Sequence, residues 1–434
     1  MKRFLFVWAA LLCITLWGCS WGSAHRHTYG DWVRIEYPSC AQEGAEERIC
    51  GKCQQVERRP VAKLPHELNT YNMCLHCKYV DFDPEADFAE LGVFSKYWYG
   101  DHTVASRVWD VKILGDKVYL GAGDYDENSG DTPILAFNKV SRRWFITGTT
   151  ADEAIHRFVD IGGTLYAPGI DPTGSWEWGN FYVLEGEKWK QVRNLPGGIH
   201  NFDMIEFDGK IFAGLGTESL GDTVAISQDG GETFRFVPLY QDGELFDTDG
   251  YEFSRTYEFV TFGGRLYALV ALHKDDSSWF GIFRYEDGKM VYLANADGLL
   301  SGTPFNRNYW NGKLEKDGVC YIAAGSLFSV TDFADPSARQ KVAMPGDERV
   351  VDALLYDGII YILCYKVNQD LSGCTTVIYQ SATGQDGSFT EMLRYAYPAL
   401  PSSFDFDGTH FYIGTGDSKD NAKAGMLLRV KPTL

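Results

Sequence analysis

Asn201–Leu239, NFDMIEFDGKIFAGLGTESLGDTVAISQDGGETFRFVPL, reads as four short strands. Asp203–Phe207 runs into an Asp208-Gly209 turn and Lys210–Ala213 returns. After a polar loop come Val224–Ser227, a turn over Gln228–Glu232, and Thr233–Val237. Apolar side chains at every second position, bounded by Asp-Gly and Gly-Gly turns, mark antiparallel hairpins. One such sheet cannot cover both its faces, so it requires neighbours of its own kind.

The neighbours are in the chain. ILGDKVYLGAG turns at Gly115, DIGGTLYAPG at Gly163, EFDGKIFAGLG at Gly209 and TFGGRLYALV at Gly264. EKDGVCYIAAG, LYDGIIYILC and FDFDGTHFYIGTG follow, turning at Gly318, Gly358 and Gly408. Their aromatic anchors, Tyr119, Tyr166, Phe212, Tyr267, Tyr321, Tyr361 and Tyr412, recur every roughly 40–55 residues, the length of a four-stranded propeller blade. A second hairpin follows most anchors, as in ILAFNKVSRRWFITG, FYVLEGEKWKQV and FGIFRYEDGKMVYL. The fold class read from this is all-β: a seven-bladed β-propeller over residues 81–434. Radial repetition is how all-β chains of this size protect their sheet edges. After Met426–Val430 too few residues remain for an outer strand, so the ring should be closed from the chain start, within Phe88–Tyr99.

Ser227-Gln-Asp229-Gly-Gly231-Glu-Thr233-Phe234 resembles the Asp-box of sialidase-like propellers, and the blade repeat resembles kelch-like propellers as well. That resemblance implies a turn capped by Asp229, a folding device rather than a site.

The chain has 434 residues, 45% of them hydrophobic, and a formal charge of −19. Such acidity argues against general nucleic-acid or anionic-membrane binding, without excluding a local basic spot. Lys2-Arg3 precedes the apolar run Phe4–Trp17, too short for a stable membrane span, so residues 1–24 read as an export signal. Leu16-Trp17-Gly18-Cys19 resembles a bacterial lipoprotein signal, which implies lipidation at Cys19; the alternative is cleavage after Gly22-Ser23-Ala24. The expected location is the cell envelope or outer membrane as a lipoprotein, otherwise secretion, with membrane contact only through the lipid anchor.

Residues 25–80 form a small Cys-rich module. Cys50-Gly-Lys-Cys53 and Cys74-Leu-His-Cys77 are two C-x-x-C pairs whose separation suits a zinc site, with disulfides as the competing reading in an exported protein. The stretch from His27 through Trp32, Cys40, Gly44, Cys50, Cys53 and His66 resembles a small repeat module of bacterial surface proteins. The resemblance groups Cys40, Cys50, Cys53 and His66 and leaves Cys74 and Cys77 as a separate pair. Cys320, Cys364 and Cys374 sit in strand-like runs, as small buried apolar residues do.

Entries to the first strand of each blade carry Arg107, His156-Arg157, His200, Arg255, Arg307 and Arg349. Basic groups at matching inner-strand positions converge on a channel mouth, where guanidinium forks suit carboxylate or sulfate. The competing reading pairs them with Asp110, Asp160, Asp203, Glu258 and Asp352, because buried charges are usually paired. Trp176, Trp178 and Trp279 lie in polar loops, where an aromatic face stacks on a sugar or packs between blades. Asp124, Asp126, Asn128 and Asp131 have oxygen-ligand spacing for Ca²⁺ but lack the glycine of a helix-loop-helix calcium loop.

The expected function is binding of a glycan, above all an acidic one, or of a cell-surface protein at that mouth, without catalysis. The rival is a glycan-active enzyme. Sialidase-like hydrolases and propeller polysaccharide lyases would find candidates in His200, Tyr257, Glu258 and Asp249. Tyr257 and Glu258, as sequence neighbours on a strand, should face opposite sides.

Overall fold

A computed structural model describes residues 25–93, 107–123, 130–275, 277–300, 310–370, 372–416 and 421–432. The leader with Cys19, residues 94–99 of the expected closing strand, Arg307, and Asp124, Asp126 and Asn128 lie outside the described residues. The chain divides into two compact units at His66/Glu67, not at about residue 80.

The smaller unit is a three-stranded antiparallel sheet of Val33–Glu36, Gly44–Ile49 and Val56–Val61. Its strands leave Val33, Ile35, Ile49 and Val56 exposed beside several ion pairs. Arg34 and Arg59 both meet Glu46, at 2.7 and 2.9 Å, and Arg48 meets Glu57 at 2.6 Å. The Arg48 and Arg59 guanidinium groups lie 4.6 and 4.3 Å from the Trp32 ring centroid. Among residues 25–66 only Cys40, Gly44 and Cys50 are buried.

The larger unit begins with Glu67–Asp87, which pack on the first large sheet. Met73 and Val80 are buried with Val118, Phe137 and Trp144, and the Val80 N–H donates to the Arg142 carbonyl at 2.8 Å. Those apolar contacts explain why the boundary precedes the second C-x-x-C pair.

Every hairpin expected around the seven turn glycines forms, from Asp110–Leu114 with Lys117–Gly121 to Leu400–Phe406 with Phe411–Gly416. At Asp208-Gly209 both residues have positive φ, 53° and 68°, the twist that two-residue hairpins need. Five separate four-stranded sheets result, and a twelve-stranded one in which the His200 and Phe253 hairpins are joined by Gly216–Arg255 and Thr217–Ser254 pairs. Among the described residues there is no α-helix. Six of the seven aromatic anchors are buried, with Tyr166 partly exposed, and Cys320, Cys364 and Cys374 are buried.

The architecture is a β-propeller, because the first strands of all these hairpins line one cavity. They approach closely at the centre: a Cβ on Gly312 would come within 2.1 Å of the Ala353 nitrogen. Among the described residues no sheet closes on itself. Phe88–Val93, from early in the larger unit, instead pairs antiparallel with Met426–Val430 as the outermost strand of the last sheet. Leu91 on that strand is fully buried, and its carbonyl accepts the Trp144 indole N–H at 2.6 Å.

Candidate functional site

Aspartates on the inner strands staple one inner hairpin to the next. Asp110 accepts the Phe158 N–H at 2.7 Å, Asp203 that of Phe259 at 2.8 Å, Asp352 that of Phe404 at 3.3 Å, and Asp405 that of Ile113 at 2.8 Å. These side chains line a central cavity of about 430 Å³ with Lys112, Arg157 and Lys313. Burial pushes Asp110 up to about 6, and burial with the Asp110 charge pushes Asp352 up to about 7. The Ser403 hydroxyl stands 3.1 Å from Asp110.

Arg157 is spent inside this wall. Its guanidinium meets Glu258 at 2.6 and 3.2 Å and Asp203 at 2.9 Å, while Lys313 contacts Asp203 and lies 2.9 Å from Glu258. Two cations and two carboxylates cancel. Burial opposes the Asp203 charge, but Arg157 and Lys313 outweigh it and hold its carboxyl below the usual range. Arg157 as a ligand contact and Glu258 as a catalytic group are therefore corrected. Both are buried, and desolvated charge needs such partners.

The neighbouring arginine is arranged differently. Four inner strands carry an extra residue at one level, Phe202, Tyr257, Val351 or Ser402, where the pairing register shifts. Such bulges re-aim side chains. Phe202 and Tyr257 meet with ring centroids 4.6 Å apart. Beside them the Arg255 guanidinium stands 3.3 Å from His200 Nε2 and 3.4 Å from the Tyr257 hydroxyl. The rings of Phe202 and Phe253 flank it, at 5.7 and 4.8 Å. Among the described residues no carboxylate lies within 4 Å of it.

The hydrogen-bond directions follow from Arg255 having donors only. An accepting His200 Nε2 would carry its proton on Nδ1, the ring nitrogen that lies 2.6 Å from Asp171. The Tyr257 oxygen accepts from Arg255, and its hydroxyl is 3.3 Å from His273 Nε2. His273 Nδ1 is 2.7 Å from the Ser278 hydroxyl. Burial and the Arg255 charge push His273 down to about 4, keeping it neutral. Asp171, His273 and Ser278 were missed by sequence reasoning. Asp171 and Ser278 stand in the stretches IDPTGSWEWGN and LHKDDSSWFG that carry the tryptophans, and His273 is the second residue of the latter.

The other expected residues are dispersed. Arg107 lies 4.4 Å over Trp109 and against Gly416, where a Cβ would meet its side chain at 2.6 Å. Arg349 borders a separate cleft of about 790 Å³ with Lys341, Asp347 and Glu348. Trp176 and Trp178 are exposed, whereas Trp279 packs among Phe246, Phe283 and Tyr292. Asp249 sits in an exposed turn, its N–H donating to Asp247. Asp131 accepts the Thr173 hydroxyl at 2.5 Å. Asp229 caps its turn as expected, accepting the Thr233 N–H at 2.9 Å, and those hydrogen bonds hold its carboxyl down at about 2.

In the smaller unit Cys50 Sγ lies 3.6 Å from His25 Nε2, and Cys53 Sγ lies 3.3 Å from His27 Nδ1. The four ligand atoms are all within 4.8 Å of one another and could hold a metal ion. This corrects the grouping with Cys40 and His66, which do not join that set. The backbone explains it: Gly51 N–H bonds the Thr28 carbonyl at 3.1 Å, bringing the histidine segment to the cysteine turn.

No family model and no curated protein matches the chain. Solved structures similar to it include the computationally designed Ika8 protein, at 8% identity over 94% of this chain and 98% of that one, with a TM-score of 0.41. YCF48 from Cyanidioschyzon merolae aligns at 11% identity over 80% and 99%, TM-score 0.45. BamB from Moraxella catarrhalis aligns at 9% over 94% and 100%, TM-score 0.39. None of these likenesses bears on ligand or activity.

Proposed function

We propose that the chain is an exported, lipid-anchored seven-bladed propeller that binds an acidic glycan through Arg255, without catalysis. The observation that carries this is the contrast between two arginines. Arg157 is neutralised by Glu258 and Asp203, whereas Arg255 has hydrogen-bond supports, aromatic walls and no carboxylate partner among the described residues. A preset guanidinium fork suits a carboxylate, and a charge-assisted pair contributes roughly 1.5–3 kcal/mol. The exposed Trp176 and Trp178 add surfaces for sugar rings. Seven inner strands around the cavity and the outer strand lent by Phe88–Val93 support the blade count. The Lys2-Arg3 start, apolar run and Cys19 support export and anchoring.

A direct test compares a uronic-acid oligosaccharide with its carboxyl-reduced counterpart by calorimetry. Binding that requires the carboxylate supports the reading; equal binding of both removes it. A second reading, a polysaccharide lyase, is favoured by one observation: His200 and Tyr257 both stand against Arg255. In that case incubation with acidic polysaccharides would generate ultraviolet-absorbing unsaturated ends.

A further inference from the structure

The smaller unit lacks what ordinarily holds a domain together. Of residues 25–66 only Cys40, Gly44 and Cys50 are buried, and its sheet faces carry ion pairs. Exposed ion pairs contribute about 0–1 kcal/mol each. A unit this short without an apolar core needs a disulfide, a metal or a partner to fold.

We infer that His25, His27, Cys50 and Cys53 form a closed tetrahedral zinc site that takes the place of this missing core. Ligand atoms bound at about 2.0–2.3 Å around one tetrahedral ion stand roughly 3.3–3.8 Å apart. The two sulfur–imidazole distances, 3.6 and 3.3 Å, fall in that range, and every other separation in the set is within 4.8 Å. Two thiolates and two imidazoles form a donor set suited to zinc rather than calcium or magnesium. Four protein ligands leave no open position, so the ion is structural and not catalytic.

The local fold prepares this arrangement. The Cys50 N–H donates to Gln55 at 2.8 Å and the Gln54 N–H returns to the Cys50 carbonyl at 2.9 Å, with Gln54 at φ 61°. This tight turn sets Cys50 and Cys53 side by side. Bonds from Gly30 N–H to the Ile49 carbonyl and from Gly51 N–H to that of Thr28, both 3.1 Å, hold the histidine strand along it. Cys50 and Cys53 form no disulfide in the structure, and a disulfide between them would leave two converging histidines without a role. Zinc binding here is also folding, because the site does not exist in the unfolded chain.

The test uses the purified full chain and its His25→Ala/His27→Ala variant. Metal analysis should show one zinc equivalent per chain fewer in the variant. Cobalt(II) loading of the parent should give the visible bands of a tetrahedral thiolate–imidazole site, diminished in the variant. Cys50 and Cys53 should resist alkylation until a chelator is added. Equal zinc in both proteins would overturn the inference. So would a Cys50–Cys53 disulfide in the isolated protein, or alkylation unaffected by the chelator. The alkylation arm needs only the parent, so a variant that fails to fold leaves the question answerable.

Discussion

Arg255 and His200 stand 3.3 Å apart, with His200 backed at 2.6 Å by Asp171. The relationship holds the guanidinium in place without a carboxylate in direct contact, the Asp171 carboxylate lying one residue further out. The same molecule shows the opposite case at Arg157.

Replacing Arg157 by Met should unfold the protein more readily, by about 3–5 kcal/mol, because Glu258 and Asp203 remain buried with only Lys313 to balance them. Denaturant unfolding checks this. Adding Glu258→Leu should recover part of the loss. An unchanged midpoint for Arg157→Met would mean that the quartet is not a structural unit.

Leu91→Ala should cost about 2–5 kcal/mol, as a fully buried leucine on the strand that completes the last sheet against Met426–Val430. If Phe88–Val93 were a loosely attached tail, the substitution would leave thermal unfolding unaltered.

Asp352 gives a pH dependence whose sign is set by its raised folded value. Its unfolded pKa is about 4. A carboxyl that binds its proton more tightly when folded contributes that stability fully below about pH 4. The contribution is lost as pH rises through about 7 for Asp352, and through about 6 for Asp110. Asp352→Asn removes this term. The wild type should therefore lose melting temperature relative to the variant between pH 5 and pH 8. Parallel profiles would show that the two aspartates do not share a charge problem.

The hairpins were legible because each is written in a dozen consecutive residues, with its turn glycine and period-two apolar pattern. The closing strand expected within Phe88–Tyr99 pairs over Phe88–Val93 with Met426–Val430. The mouth was only half legible. His200 and Arg255 share an offset before their turn glycines, and they meet. Arg349 shares that offset but borders a separate cleft, and the carboxylates that neutralise Arg157 come from two hairpins of another sheet, far away in sequence. Bulges at Phe202 and Tyr257 also break simple strand alternation, so facing could not be counted from sequence alone. The histidines of the smaller unit escaped because they precede the cysteines by more than twenty residues and reach them through strand pairing.

The most direct measurement is acidic-oligosaccharide affinity for Arg255→Ala, read alongside its unfolding midpoint. The account predicts a loss of about tenfold or more in affinity with the midpoint little changed, and only partial recovery in Arg255→Lys, which lacks the fork. A lowered midpoint with unaltered affinity would contradict it, and would make Arg255 a structural residue like Arg157.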